Sequence, residues 1–388
     1  MASTHHKTIV LATGLAMFSM FFGAGNVVFP LAVGQYAQDK NFFAIIGLLI
    51  TAVGVPFLGL AAMALFDGNA KDFFDRLGRI PGFIVAAVIM GLIGPFGAIP
   101  RCIALSYSTM KTYFPALSLP IFSVISCIVI FLFTYKRSRI IDILGYVLTP
   151  LLILSLAVII IKGLISSPEV STTDLSSWST FSIGLKEGYQ TMDLLGAFFF
   201  SSVVLECLRK EYPLTNERSS HKRLLILMLK ASCIGAFLLA IIYVGFSYVA
   251  ALHSENLVSI GKEELLSTLA KQILGPYAGI IACVTVALAC LTTAIALTTV
   301  FAEFIHSDVT QNYVSYEVAI IITLIFTNVI ATLNFTKIVA LLAPILLICY
   351  PALITLSVLN LLYKLYAFKP VKIPVLAVFI LSLIFYFM

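Results

Sequence analysis

Two short stretches of this sequence put small and polar residues in the middle of long apolar runs. The first is Gly23-Ala24-Gly25-Asn26, closed by Phe29-Pro30. The second is Gly188-Tyr189-Gln190-Thr191-Met192-Asp193, followed by Gly196. A glycine costs about 1 kcal/mol against alanine inside a helix, so each stretch is a poor continuous helix. In lipid, broken backbone is tolerated only where it faces protein or a wet cavity, and interrupted spans in corresponding positions of two halves point to a binding site. The competing reading for Gly23 and Gly25 is close helix packing through small residues. A third feature is Leu291-Thr292-Thr293-Ala294, two adjacent hydroxyls midway along an apolar run. For either threonine alone, the ordinary fate is a bond to its own i−4 carbonyl. Three ionisable residues also fall inside apolar runs: Arg101, Asp193 and Glu206. Each would cost at least about 2.5–3.5 kcal/mol near a bilayer centre. Glu206 sits beside Arg209 and Lys210, which fits an interfacial place. Arg101 and Asp193 lie deeper, and the expectation is a pairing with each other or with backbone groups, a structural ion pair being favoured over a proton or cation role for Asp193.

The elements that carry these residues are set by composition. Of 388 residues, 61% are apolar and 11% charged, against about 45–50% and 25% for a soluble domain. The bilayer is the solvent that suits such a chain. Eleven apolar runs are long enough for helical spans of about 20 residues: roughly 8–34, 41–65, 83–110, 119–135, 140–163, 182–208, 224–250, 276–302, 315–333, 336–363 and 371–388. They are too long for buried strands and lack the alternation of a membrane barrel. The first continues past a signal-peptide length without a small-residue cleavage region, so it reads as a permanent span. The fold class expected is an all-α integral membrane protein in a single domain.

Charge fixes the expected orientation. With the N-terminus (His5, His6, Lys7) inside, the inner loops carry Lys71, Arg76 and Arg79; Lys136, Arg137 and Arg139; Arg209, Lys210, Arg218, Lys222 and Arg223; and Lys364, Lys369 and Lys372. The outer loops carry only Lys40, Lys111, Lys162, Lys262 and Lys271. This is the positive-inside pattern, so the net charge of +6 reports loop bias and not nucleic-acid binding. The seven cysteines (Cys102, Cys127, Cys207, Cys233, Cys283, Cys290 and Cys349) lie in apolar runs without metal spacing and read as small core residues. No nucleotide-binding loop, nucleophile elbow or zinc motif occurs, and no cofactor is expected. The segment 253–274 has Val258, Leu265, Leu266, Leu269 and Ile273 at helical spacing, which predicts an outer amphipathic helix lying on the protein.

The motif Phe21-Phe22-Gly23-Ala24-Gly25-Asn26-Val27-Val28-Phe29-Pro30 resembles that of the bacterial branched-chain amino acid:cation symporters, the transport system II carriers. So do Gly94-Pro95-Phe96-Gly97-Ala98-Ile99-Pro100-Arg101 in span three and Glu187-Gly188-Tyr189-Gln190-Thr191-Met192-Asp193 in span six. The chain departs from the family pattern at Leu31, where a second proline is usual, at Ser108, where an acidic residue is frequent, and in having eleven spans for the usual twelve. The family is similar in turn to the LeuT-type fold. That implies two inverted five-helix repeats, 8–163 and 182–363, with broken spans one and six and an extra helix at 371–388.

The resemblance implies a symporter importing leucine, isoleucine and valine with a cation through the inner membrane of a bacterium, by alternating access. It implies a transporter and not an enzyme. The alternatives are a carrier of the same fold for another neutral amino acid, or a membrane amino-acid sensor. The partners expected are the small-molecule substrate, the coupling ion and the lipid bilayer. An amino acid's carboxylate suits backbone donors at a positive helix end, which Gly23, Ala24 and Gly25 can supply. Its ammonium suits carbonyls freed near Phe21 and Phe22, with partners near Thr191; Asn26 and Asp193 complete the expected substrate site. Phe198, Phe199 and Phe200 are candidates for an apolar pocket, with a place in the core or toward lipid as the competing reading. By the same likeness a sodium ion would take side-chain oxygens from Thr292 and Thr293 and carbonyls from Ser19, Phe22 and Ala289, with a proton as the alternative coupling ion. Asn26 also matches an asparagine of a second sodium site, yet span seven has no asparagine to complete it, so one cation per cycle is the simpler expectation.

Eleven spans and the lysine and arginine bias predict an inside N-terminus and an outside C-terminus. A cysteine added after Met388 should react with a membrane-impermeant thiol reagent from outside. Labelling only from the cytoplasm would mean a miscounted span.

Overall fold

The computed structural model describes residues 2–135, 140–166, 170–211 and 218–388, with side chains at 9–135, 149–166, 170–205, 208–209 and 224–388. Expectations placed on the side chains of His5, His6, Lys7, Lys136, Arg137, Arg139, Glu206, Cys207, Lys210, Arg218, Lys222 and Arg223 fall outside these. No strand occurs among the described residues.

The apolar runs become helices, several of them in pieces. Span one divides into α1 (Ala2–Phe21) and α2 (Ala24–Ala37). Span two runs through α3 (Asn41–Leu49), a wide turn at Ile50–Gly54 and α4 (Val55–Leu65). The link that follows carries α5 (Ala70–Phe74), a short helix whose Phe73 and Phe74 rings are buried 5.3 and 5.4 Å from the Phe198 ring. Span three, expected to be continuous, is broken into α6 (Arg79–Ile93) and α7 (Ala98–Lys111). Gly94 and Gly97 take non-helical conformations around Pro95, and a proline interrupts the helical bonding of its own turn.

Then come α8 (Leu119–Tyr135), α9 (Ile140–Ile165), α10 (Ser177–Tyr189) and α11 (Asp193–Glu211), the last two being the halves of span six. The remainder is α12 (Arg218–Leu252), α13 (Leu265–Glu303), α14 (Tyr316–Ala331), α15 (Phe335–Tyr366) and α16 (Lys372–Phe387). At 1.5 Å per residue, the 16 residues of α16 reach about 24 Å, short of a hydrocarbon core of about 30 Å.

The broken spans form the centre. Helix α2 packs on α12, α3 on α10, α4 on α11, α7 on α13 and α1 on α12. Small residues set close crossings: a Cβ on Gly184 of α10 would run into the Ala44 carbonyl of α3, and one on Gly34 of α2 into the Ser247 carbonyl of α12. At the wide turn in span two, the Thr51 hydroxyl lies 3.0 Å from the Leu185 carbonyl of α10. Of the described cysteines, Cys102, Cys127, Cys283 and Cys290 are buried free thiols and Cys349 is half-buried. Cys233 is exposed on α12, so its core assignment does not hold.

The segment 253–274 differs from the single amphipathic helix expected. Residues 254–264 form two short 3-10 turns, Ser254–Leu257 and Lys262–Glu264, and Val258 is 77% exposed. Helix begins only at Leu265, where Leu265, Leu266 and Leu269 are buried as the spacing suggested, and it bends at Gly275 (φ +77°) before Pro276. The 254–264 segment is pinned to three helices. Gln35 of α2 donates to Leu257 O at 2.6 Å and Ile260 O at 3.4 Å. Lys262 pairs with Glu187 of α10 at 2.7 Å, and Thr336 of α15 donates to Glu263 at 2.7 Å. The segment thus lies across the α2 and α10 end of the broken spans.

Buried carbonyls left without a donor cost about 1–3 kcal/mol. Gln35→Ala should therefore raise amide hydrogen exchange across residues 254–264 by roughly tenfold, with α14 unchanged. Unchanged exchange in that segment would remove Gln35 as its anchor.

Candidate functional site

Helix α1 ends with Phe22 N–H bonded to Phe18 O at 2.8 Å. The next amide, Gly23 N–H, would close a further turn on Ser19 O, but it is given to Asn26 Oδ1 at 3.1 Å. Gly23 is extended (φ −119°, ψ −160°) and α2 starts behind it. Span six breaks differently. Gln190, Thr191 and Met192 donate back three residues, to Glu187, Gly188 and Tyr189. Met192 then takes φ +66°, a conformation uncommon outside glycine and worth attention for that reason, and α11 opens at Asp193. Two helix C-termini and two helix N-termini meet here, bringing partial negative and partial positive charge together. The residues at the junction are buried: Asn26 2%, Gln190 6%, Thr191 6%, Met192 3% and Asp193 4% exposed.

A polar cluster ties the breaks together. Asn26 Nδ2 donates to Asp193 Oδ2 at 2.7 Å and also contacts the Tyr243 hydroxyl of α12. That hydroxyl donates to the same Asp193 oxygen at 3.1 Å. Span seven has no asparagine, and its Tyr243 occupies the place beside Asn26. A tyrosine in an apolar run carries no signal of such a role.

The expected Arg101–Asp193 ion pair is not formed. Asp193 is satisfied by Asn26 and Tyr243. Arg101, 2% exposed, donates through Nη1 to Gln190 O at 2.9 Å and approaches Met192 Sδ at 3.1 Å. Its guanidinium lies 5.1 Å from the Phe29 ring centre and 5.8 Å from that of Phe335. Neutral groups therefore hold both side chains: Arg101 takes the backbone pairing, on the Gln190 carbonyl, and Asp193 takes Asn26 and Tyr243.

A cavity opens beside this junction. Its lining includes Phe21, Gly23, Ala24, Gly25, Asn26, Thr191 and Asp193, the seven residues singled out from the sequence for the substrate. Arg101, Cys102, Met192, Phe200 and Leu297 also line it, none of which the sequence had put there except Phe200. Phe198 packs on Phe73 and Phe74, and Phe199 stacks over Phe74 at 6.3 Å. Of the three adjacent phenylalanines, only Phe200 faces the cavity. Gly25 is at the tightest point: a Cβ there would stand 2.6 Å from Arg101 Nη2 and 2.9 Å from Thr191 Cα. The Thr191 hydroxyl is engaged with Gly188 O at 2.9 Å.

At one edge of the cavity, the Thr293 hydroxyl bridges two helices. It lies 3.3 Å from Phe22 O and 3.1 Å from Ala289 O, and the Thr292 hydroxyl lies 2.8 Å from Ala289 O. Both threonines thus bond back within α13, as isolated helical threonines do, and Thr293 also reaches across to the end of α1. Ser19 is half-buried on α1; its side chain is not joined to this group, and its carbonyl is the one that lost Gly23 N–H. Four of the five proposed cation ligands are thereby linked by hydrogen bonds.

Comparison with known proteins bears on the family and the fold. The family model described as branched-chain amino acid transport protein matches residues 6–387. Branched-chain amino acid permease BrnQ of Bacillus subtilis is 31% identical over 93% of this chain and 82% of its own. Branched-chain amino acid permease BraB of the same organism is 30% identical over 92% and 80%. Among solved structures, MhsT in complex with L-phenylalanine superposes with a TM-score of 0.65 at 16% identity, over 96% of this chain and 98% of that one. Mhp1, a nucleobase-cation-symport-1 family transporter, in a closed conformation gives 0.65 at 14% identity over 91% and 78%. These establish the LeuT-type fold. With two half-helix pairs around one cavity, and a family match that runs from the first helix to the last, the chain belongs to the branched-chain amino acid transport proteins, multi-pass membrane transporters and not enzymes.

Proposed function

We propose that this protein is a secondary active symporter that imports leucine, isoleucine and valine together with one sodium ion per cycle, through the inner membrane of a bacterium. The observation that carries the reading is the cavity between the four half-helix ends, lined by Thr293, whose hydroxyl lies beside the Phe22 and Ala289 carbonyls. The helix ends suit a zwitterion, and Met20, Phe21, Phe200 and Leu297 offer an apolar surface for a branched side chain. Oxygen atoms from a hydroxyl and backbone carbonyls are the ligands a hard cation prefers. Ser19, Phe22, Ala289, Thr292 and Thr293 form the sodium site, and Phe21, Gly23, Ala24, Gly25, Asn26, Thr191 and Asp193 the amino-acid site. No further cofactor enters the cycle.

Alternating access follows from the same arrangement. The repeats 8–163 and 182–363 rock against each other around the cavity. Under the orientation read from the lysines and arginines, the 254–264 segment lies on the outer side. Its Lys262–Glu187 pair then closes the cavity from outside, and the α1 and α11 halves line the route to the cytoplasm.

The ion is tested by uptake of labelled leucine into proteoliposomes with and without a sodium gradient. Uptake should require sodium. Losing one ligand oxygen to a charge is worth about 1.5–3 kcal/mol, so Thr293→Ala should raise the half-saturating sodium concentration roughly 10- to 100-fold. Uptake unaltered without sodium and abolished by a protonophore would assign the role to a proton.

The substrate site is tested separately. Gly25→Leu should abolish leucine uptake while the protein still inserts at normal level, because the new side chain meets Arg101 and the Thr191 backbone. Gly23→Leu should do the same by filling the space against Thr293, which lies 3.1 Å from the Cβ position. Normal leucine binding by either mutant would displace the site.

A further inference from the structure

Among the described residues, Arg101 and Asp193 are the two formally charged side chains that line the cavity. Both are almost wholly buried, at 2% and 4% exposure. Opposite charges so placed would normally collapse onto each other, because an unpaired charge in a low-dielectric interior is expensive. Here they are held apart. Asn26 and Tyr243 fix the Asp193 oxygen. Gln190 O and Met192 Sδ fix Arg101 Nη1, and Phe29 and Phe335 flank its guanidinium. All of these partners are neutral, and Arg101 Nε has no partner. The other terminal nitrogen, Nη2, stands against the first turn of α2, 2.6 Å from where a Gly25 Cβ would be. Gly23 N–H is already given to Asn26 and the Ala24 amide faces the Cys102 sulfur, which leaves Gly25 of the three amides named for the carboxylate.

We propose that Arg101 receives the α-carboxylate of the substrate, beside the Gly25 amide, while Asp193 receives its α-ammonium. This deepens the transport reading above and rests on it. The cavity then presents a separated positive and negative charge that only a zwitterion neutralises at both ends. An amine without a carboxylate leaves Arg101 unpaired, and an acid without an ammonium leaves Asp193 unpaired. Either loses affinity through the buried charge it fails to meet. Arg101 thereby becomes a specificity-determining residue for the free amino acid, a role not assigned to it by the backbone-only view of the site.

The test uses full-length protein in proteoliposomes and competition against labelled leucine by two probes. Leucine amide keeps the ammonium and has no carboxylate; 4-methylpentanoate keeps the carboxylate and has no ammonium. Wild type should prefer leucine to each by about 100-fold or more. Arg101→Met should weaken leucine about 100-fold, leave leucine amide within a few-fold of its wild-type affinity, and so erase the preference between them. Asp193→Asn should erase the preference for leucine over 4-methylpentanoate in the same manner. Retained binding of the matching probe shows that the variant is folded. Should Arg101→Met fail to insert, Arg101→Lys, which keeps the charge without the planar fork, should weaken leucine about tenfold with the amide unchanged. Preference ratios unchanged in the Arg101 or Asp193 variants, with leucine still bound by wild type, would overturn this assignment alone. Wild-type protein that binds no branched-chain amino acid would overturn the transport reading and this assignment with it.

Discussion

The side chain of Asn26 ties together, by hydrogen bonds, three packed parts of the molecule at its centre. Its oxygen takes the amide freed where α1 stops, and its nitrogen reaches the carboxylate that opens α11 and the hydroxyl of Tyr243 on α12. Nothing in a bilayer replaces water as a partner for such groups. Each of these contacts therefore carries the desolvation penalty of the group it satisfies, about 1–3 kcal/mol when lost. The consequence is registry. With Asn26 held to Asp193, the start of α2 must lie beside the span-six break, and Gly25 comes to rest against Thr191. The cavity is the space those two breaks leave between them.

The third break follows from the same need. Arg101 is the first long side chain within α7, one turn after Gly97. The interruption at Gly94–Gly97 starts α7 next to the junction, and the missing side chain at Gly25 leaves room for the guanidinium. A continuous helix through Pro95 would carry the arginine at another height. The charge on Arg101, the glycine at position 25 and the kink at Gly94-Pro95 are thus one device, in which small residues buy space for a large ion. At the α2 and α10 end, the 254–264 segment is held by polar contacts, Gln35 to Leu257 O and Lys262 to Glu187.

Much of this was legible in the residues. Glycines and an asparagine within an apolar run announce a broken span, and both breaks in spans one and six lie where Gly23-Ala24-Gly25-Asn26 and Gln190-Thr191-Met192 stand. The helical spacing of Leu265, Leu266 and Leu269 is a true buried face, but it does not extend to residues 254–264, which turn and are held by the Leu257 and Ile260 carbonyls and the Lys262 and Glu263 side chains, contacts that hydropathy does not register. Gly94-Pro95-Phe96-Gly97 held a break that passed as a mere motif. The Arg101–Asp193 pair failed for a deeper reason. Sequence reveals which residues bear charge, but not which neutral dipoles from other helices will satisfy them. Tyr243 was invisible for the same cause: a tyrosine in an apolar span looks like any aromatic core residue until its hydroxyl finds a carboxylate.

Whether the amino acid sits in the space between the four half-helix ends can be seen in a cryo-electron microscopy map of the protein with leucine and sodium. Leucine density is expected between the start of α2 and Asp193, with its side chain toward Phe21 and Phe200, and a sodium peak among Phe22 O, Ala289 O and the Thr293 hydroxyl. Leucine density elsewhere in the helical bundle, with this cavity empty, would place the substrate site outside the junction.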